Sequence, residues 1–193
     1  MMKREMKYTM KNYSTKYNLT FIHIPKNAGT SINEILEIPP EYRGHNYPKE
    51  LKKRKCISFC VIRNPWDRMV SLYRFRKKKG HDKIIFKEKD YSFKEWLFNP
   101  NIPQIAGKME WENQVNMICD ENSKLLVDYV LRYENLIEEW KNFRNLLGLS
   151  LPKIPHFNSS GEKKDYKKYY DSETRSFINE KFIKDTQMLD YEF

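Results

Sequence analysis

The chain has 193 residues, 39% of them apolar and 15% aromatic, which is enough for one domain with a sizeable core and excludes a disordered chain. Charged residues make up 32% and the formal net charge is +10, a balance that favours anionic ligands (nucleotides, nucleic acids, acidic glycans or membrane surfaces) without choosing among them.

Residues 1–18 carry Lys3, Arg4, Lys7, Lys11 and Lys16 against Glu5 and read as a basic N-terminal arm, flexible or loosely docked. The folded domain is expected over 19–193. It opens on the apolar run LTFIHI (19–24), a buried strand that leads into PKNAGTS (25–31). A helix is expected from Ser31, with Ser31 and Glu34 as a capping box, and Pro39 and Pro40 beyond its end. Residues 41–55 are polar and read as a loop or weak helix.

CISFCVI (56–62) is a second buried strand. Cys56 and Cys60 point the same way on it but lie too far apart to bond, and Cys119 makes the cysteine number odd, so neither a disulfide scaffold nor a zinc site is expected. RNPWDRMVSLYRFRKKK follows as a helix capped by Asn64, with Pro65 at its first position and Asp67 in its first turn. Short helices are expected at YSFKEWLF (91–98), with a Ser-x-x-Glu box, and at MEWENQVNMIC (109–119).

LLVDYVLRYE (125–134) is the third strand candidate. An amphipathic helix follows, with Leu136, Ile137, Trp140, Phe143 and Leu147 as its stripe and Gly148 as its end. After a loop rich in Pro, Ser and Lys, residues 171–189 read as one last helix. Strands alternating with helices predict an α/β domain with a P-loop-NTPase-like, mostly parallel central sheet flanked by helices.

The first loop has the ingredients of an anion site. Gly29 permits close backbone approach, Thr30 and Ser31 offer hydroxyls, and Lys26 adds a mobile charge. An ATP-binding loop would place Lys directly after the glycine and a hydroxyl on magnesium, whereas Thr30 stands there. The pattern therefore suggests phosphate binding without a metal. At the second strand end Arg63 can act as a guanidinium fork, and Ser71 lies two turns into the next helix on a face shared with Arg68. Ligands of open parallel sheets sit at the carboxyl ends of strands, so two armed ends suggest a ligand with two separated phosphate-like groups.

PKNAGTS followed by VIRNPWDRMVSLYR resembles the sulfotransferase superfamily, which uses 3′-phosphoadenosine 5′-phosphosulfate (PAPS). The resemblance is to the group of carbohydrate sulfotransferases of the heparan 2-O type with small bacterial and viral relatives, and VLRYENL and the C-terminal stretch extend it over 19–193. It implies that Lys26, Asn27, Ala28, Gly29, Thr30 and Ser31 hold the 5′-phosphosulfate and that Arg63 and Ser71 hold the 3′-phosphate. It implies further that 3′,5′-ADP is released and that the acceptor is a hydroxyl, with an anionic glycan as a candidate. Ser159, Ser160 and Lys163 fall in a segment resembling a loop that folds over the nucleotide.

The acceptor hydroxyl needs a base, and histidine suits the pH. The resemblance favours His45 in RGHNYP, with His156 in IPHFNSS second. His23 reads as a packed strand residue and His81 as a solvated one. Glu134 could orient a basic group or cap the helix after it. The runs KKRK (52–55) and RKKK (76–79) could guide an anionic acceptor. Two other readings are a magnesium-dependent kinase-like enzyme, which lacks its loop sequence here, and a basic nucleic-acid binder, which leaves both strand-end patterns unexplained. Neither nucleic acid nor a membrane span is expected as a partner, and the lack of an export signal points to the cytoplasm.

Overall fold

The computed structural model describes residues 11–46, 56–154 and 165–193. Its four-stranded sheet has the order β1-β2-β3-β4, formed by Tyr13–Ser14, Leu19–Ile22, Ile57–Ile62 and Tyr129–Arg132. β2, β3 and β4 are parallel, and β1 is antiparallel to β2. The α-helices of the described residues are α1 (Gly29–Ile35), α2 (Pro65–Lys79), α3 (Phe93–Phe98), α4 (Ile102–Ala106), α5 (Gln114–Ile118), α6 (Leu136–Leu147), α7 (Ser172–Lys181) and α8 (Ile183–Met188). This is the expected mixed α/β architecture.

β2 is buried along its whole length and β3 almost so, which is why both read as continuous apolar runs. Alternate side chains serve two cores. Leu19, Phe21, Phe59 and Val61 pack with Ile32 and Ile35 of α1 and Trp140 and Phe143 of α6. Ile22, Cys60 and Ile62 pack on the other side with Met117 and Ile118 of α5 and with Tyr191. A third, largely aromatic core joins Trp66, Met69, Leu72 and Tyr73 of α2 to Phe93 and Trp96 of α3 and Ile178 of α7. Each large side chain so buried contributes about 1.5–3 kcal/mol.

Several elements depart from the sequence reading. α1 begins at Gly29 because Ala28 adopts a left-handed conformation (φ 61°, ψ 17°). Ser31 therefore lies inside the first turn, and no side chain caps the helix. The third parallel strand is shorter than residues 125–134. Leu125 and Leu126 pair back onto Cys119 and Ile118, and Asp128 bonds Ser58 through its carboxylate (2.7 Å to both Ser58 N and Oγ). The chain joins the ladder only at Tyr129 and leaves it at Tyr133, where a 3-10 turn begins. The segment 109–119 divides into a 3-10 turn and α5, and the last helix breaks at the buried Phe182 into α7 and α8. On α6, Ile137 faces solvent at 57% exposure, so it is not part of the packed stripe.

Residues 11–18, read as arm, supply β1, and Asn12 is fully buried against the segment 42–46. The three cysteines are free. No helix of the described residues is long and apolar enough to cross a membrane.

Candidate active site at two adjacent strand ends

β2 and β3 pair in register, Ile22 beside Cys60, so the turns that follow them lie side by side. In the first turn Lys26 (φ 72°) and Ala28 (φ 61°) both take left-handed backbone conformations. Side chains with a Cβ adopt this region at a cost, and left-handed residues in a tight turn gather successive N–H groups into an anion-binding concavity. Thr30 is exposed on the first turn of α1, and Ser31 is 8% exposed.

Two loop residues hold the frame. Asn27 is fully buried; its Nδ2 donates to Val61 O (2.7 Å) and Gln114 Oε1 (2.6 Å). Its side chain thus points into the protein, and its backbone N–H closes the turn onto Ile24 O (3.3 Å). Gly29 is required by a neighbour: a Cβ there would coincide with the imidazole of His23.

Arg63 follows β3. Its Nε donates to Asp67 Oδ2 (2.8 Å), its Nη1 donates to Lys26 O (2.9 Å), and its guanidinium lies 4.0 Å from the centroid of Tyr133. These contacts leave Nη2 without a hydrogen-bond partner among the described residues. Ser71 is half-buried one turn after Asp67 and one turn before Phe75, the same face of α2. Lys26 Nζ rests 4.0 Å from the Phe75 ring centroid. Burial and then the charge of Arg63 lower the Lys26 pKa to about 8, against the opposing pull of Glu110. Arg68, by contrast, is fully buried and donates to Pro25 O, Met109 O, Glu110 O and Glu112 O. It anchors the start of the loop from below and does not share the open face with Ser71.

His23 is packed just past the end of β2, as expected. His23 and His45 meet edge to face, with ring centroids 4.7 Å apart, next to the Gly29 turn. Gly44 O lies 3.2 Å from His23 Nδ1; a carbonyl only accepts, so Nδ1 carries the proton. Burial first, and His45 second, hold His23 at a pKa of about 4. His45 keeps an exposed edge, yet the protein around its other side, followed by the charges of Lys11, Arg68 and Lys26, lowers it below 6.5. Both rings are therefore neutral near pH 7.

The segment carrying His45 is fixed by Asn46, whose Oδ1 accepts from His23 N (2.9 Å) and Asn12 Nδ2 (3.0 Å). His81 is exposed and touches Phe75 edge-on at 5.5 Å. His156, Ser159, Ser160, Lys163 and the KKRK run lie outside the described residues.

Sequence reasoning passed over Gln114, which joins the two turns. Gln114 is fully buried between them. Glu134 accepts from Asn64 N (2.7 Å) and from the Tyr191 hydroxyl (3.2 Å), so it secures the β3–α2 turn. A cavity of about 670 Å³ lies elsewhere, between α7 and the last residues, and none of the expected site residues among those described lines it.

The sequence model described as "Sulfotransferase family" matches residues 11–192. An uncharacterized protein of Archaeoglobus fulgidus is 30% identical over 95 residues, covering 48% of this chain and 68% of that protein. No solved structure matches the chain. The family match starts at β1, within the segment first read as arm, and takes in both strand-end turns, so the chain belongs to the sulfotransferase family, whose members are transferases of sulfuryl groups.

Proposed function

We propose that the protein transfers a sulfuryl group from PAPS to a hydroxyl acceptor of the carbohydrate class. The observation that carries this reading is the side-by-side placement of a Lys26-bearing anion loop and Arg63 at two parallel strand ends, in a chain of the sulfotransferase family. The residues present fit such a nucleotide. The loop offers left-handed turns and the half-buried Lys26 for one anionic group, and Arg63 Nη2, without a hydrogen-bond partner among the described residues, serves another. The 3′-phosphate is assigned to Arg63 and Ser71, and the 5′-phosphosulfate to Lys26 and the loop from 27 to 31.

When bound, PAPS supplies the sulfuryl group on a phosphate leaving group. Lys26 places a positive charge where the leaving oxygen gains negative charge, an effect that a partly dry site strengthens. The neutral imidazole of His45 accepts the proton of the attacking hydroxyl. Tyr133 and Asp67 hold the Arg63 guanidinium flat and in place before any ligand arrives. The test is transfer from labelled PAPS to a panel of mono- and oligosaccharides, with wild-type protein and Lys26→Ala side by side. Labelled product that depends on Lys26 supports the reading. Lack of both transfer and 3′,5′-ADP release across the panel, with folded protein, argues against it.

A further inference from the structure

We propose that Gln114 is a positioning residue that sets the spacing between the two anion-binding turns and so determines the preference for a nucleotide phosphorylated at two positions. The inference rests on the reading of this site as the seat of a 3′,5′-bisphosphate nucleotide.

Gln114 is wholly buried, and its amide is satisfied on every side. Oε1 accepts from Asn27 Nδ2 at 2.6 Å and from Arg63 N at 2.9 Å. Nε2 donates to Arg63 O at 2.8 Å and to Asp185 Oδ2 at 3.1 Å. One amide orientation alone suits these partners, because Arg63 N can only donate and Arg63 O can only accept. The same side chain thus grips the N–H and the C=O of Arg63, which fixes the peptide planes on both sides of the Arg63 Cα and the direction in which its guanidinium leaves. Through Asn27 it also holds the Lys26 loop, since Asn27 Nδ2 bonds Val61 O of β3 as well.

The bridge is braced from behind. Asp185 of α8 is fully buried, and its Oδ1 accepts from Val115 N at 2.9 Å. Asn27 Nδ2 to Val61 O also ties the loop to β3, and Arg63 Nη1 to Lys26 O uses the guanidinium that a bound phosphate would engage. Gln114 is the side chain that bonds both the Lys26 loop and the Arg63 backbone without drawing on that guanidinium.

Two phosphates on one ligand act as a bivalent pair: the second contact adds affinity only if the two sites stand at the matching distance. Loosening that distance leaves each phosphate able to bind alone and removes the advantage of carrying both. Gln114→Met keeps volume and removes every bond. The experiment measures Kd by calorimetry for 3′,5′-ADP, 5′-AMP and 3′-AMP, together with Tm, on the full chain. Wild type is expected to favour 3′,5′-ADP over both monophosphates. In Gln114→Met that ratio should shrink by about tenfold or more, while 5′-AMP affinity stays within roughly a factor of two.

If Gln114→Met does not fold, Gln114→Asn, which keeps the amide but withdraws it by one methylene, is read by the same ratio. A ratio unchanged in the folded variant, or a uniform fall in all three affinities, overturns the proposal. Absence of any bisphosphate preference in wild type overturns the underlying reading of the site, a different result from a wild-type preference that the variants retain.

Discussion

At the end of β2 some polar groups stay open: Thr30 is exposed, no side chain caps α1, and Lys26 Nζ lies over the ring of Phe75. At the end of β3 the polar groups are largely occupied. Arg63 is held by Asp67, Lys26 O and Tyr133; Asn64 Oδ1 caps α2 through Trp66 N and Asp67 N; and Asn64 N is taken by Glu134. The first turn is strained and under-bonded, and the second is pre-organised. A site that must bind a charged nucleotide and then follow the movement of charge during transfer benefits from this division, since the anchor costs no reordering on binding and the reactive loop retains free donors. Lys26 shows the consequence: its ammonium, without an ion-pair partner among the described residues and partly buried beside another cation, has its pKa lowered to about 8, whereas Arg63 carries its own counter-ion.

The contrast can be broken from either side. Lys26→Ala should lower kcat by about 10²–10³-fold and also weaken 3′,5′-ADP, because the charge it supplies acts on the leaving oxygen, whose negative charge the product retains. In wild type, activity should also fall as pH rises through about 8, where Lys26 loses its proton, and a bound anion would move that limb upward. Steady-state rates across pH check both statements.

His45→Ala should lower kcat by about 10²-fold or more. Because the His45 pKa is lowered, the acid limb of the wild-type profile should lie below 6.5, the proton going onto the base as pH falls and stopping the reaction. Full activity in His45→Ala would remove it as the base.

Arg63→Ala should act mainly on binding, weakening 3′,5′-ADP by about 10–100-fold, the range expected for hydrogen bonds to a charged group. Calorimetry measures this directly. A fall in Tm should accompany it, since the same side chain holds Lys26 O and stacks on Tyr133.

The smallest effect concerns the frame. Gly29→Ala should destabilise by about 1–3 kcal/mol through overlap with His23, and should cost markedly less in a His23→Ala background. Denaturant unfolding of the four-member cycle measures the coupling.

Local signals in the sequence located most of this architecture. Asn64 with Pro65, Ser92 with Glu95, and Gly148 mark helix ends that form as expected, because each cap is completed within a few residues. The same Ser-x-x-Glu spacing misled at Ser31 and Glu34, where the left-handed turn at Ala28 starts the helix early. The two strand–turn–helix joints were readable for the same local reasons.

The bridge between them was not. Gln114 lies 51 residues from Arg63, 87 from Asn27 and 71 from Asp185, and a buried glutamine has no periodicity to announce it. His23 looked like a core strand residue; only the fold brings its ring against Gly29 and His45. Arg68 likewise lay in a basic-looking helix, and its burial against four carbonyls depends on segments around residues 25 and 109–112 that come together in space.

The central claim is that the two turns hold one nucleotide by two separated anionic groups. Its most direct test is calorimetric titration of the wild-type protein with 3′,5′-ADP in the presence of a metal chelator, against ATP with Mg²⁺, repeated on Arg63→Ala. Saturable binding of 3′,5′-ADP without metal, tighter than ATP with Mg²⁺ and weakened in Arg63→Ala, is expected. Binding of ATP with Mg²⁺ alone, or 3′,5′-ADP binding indifferent to Arg63, would contradict it.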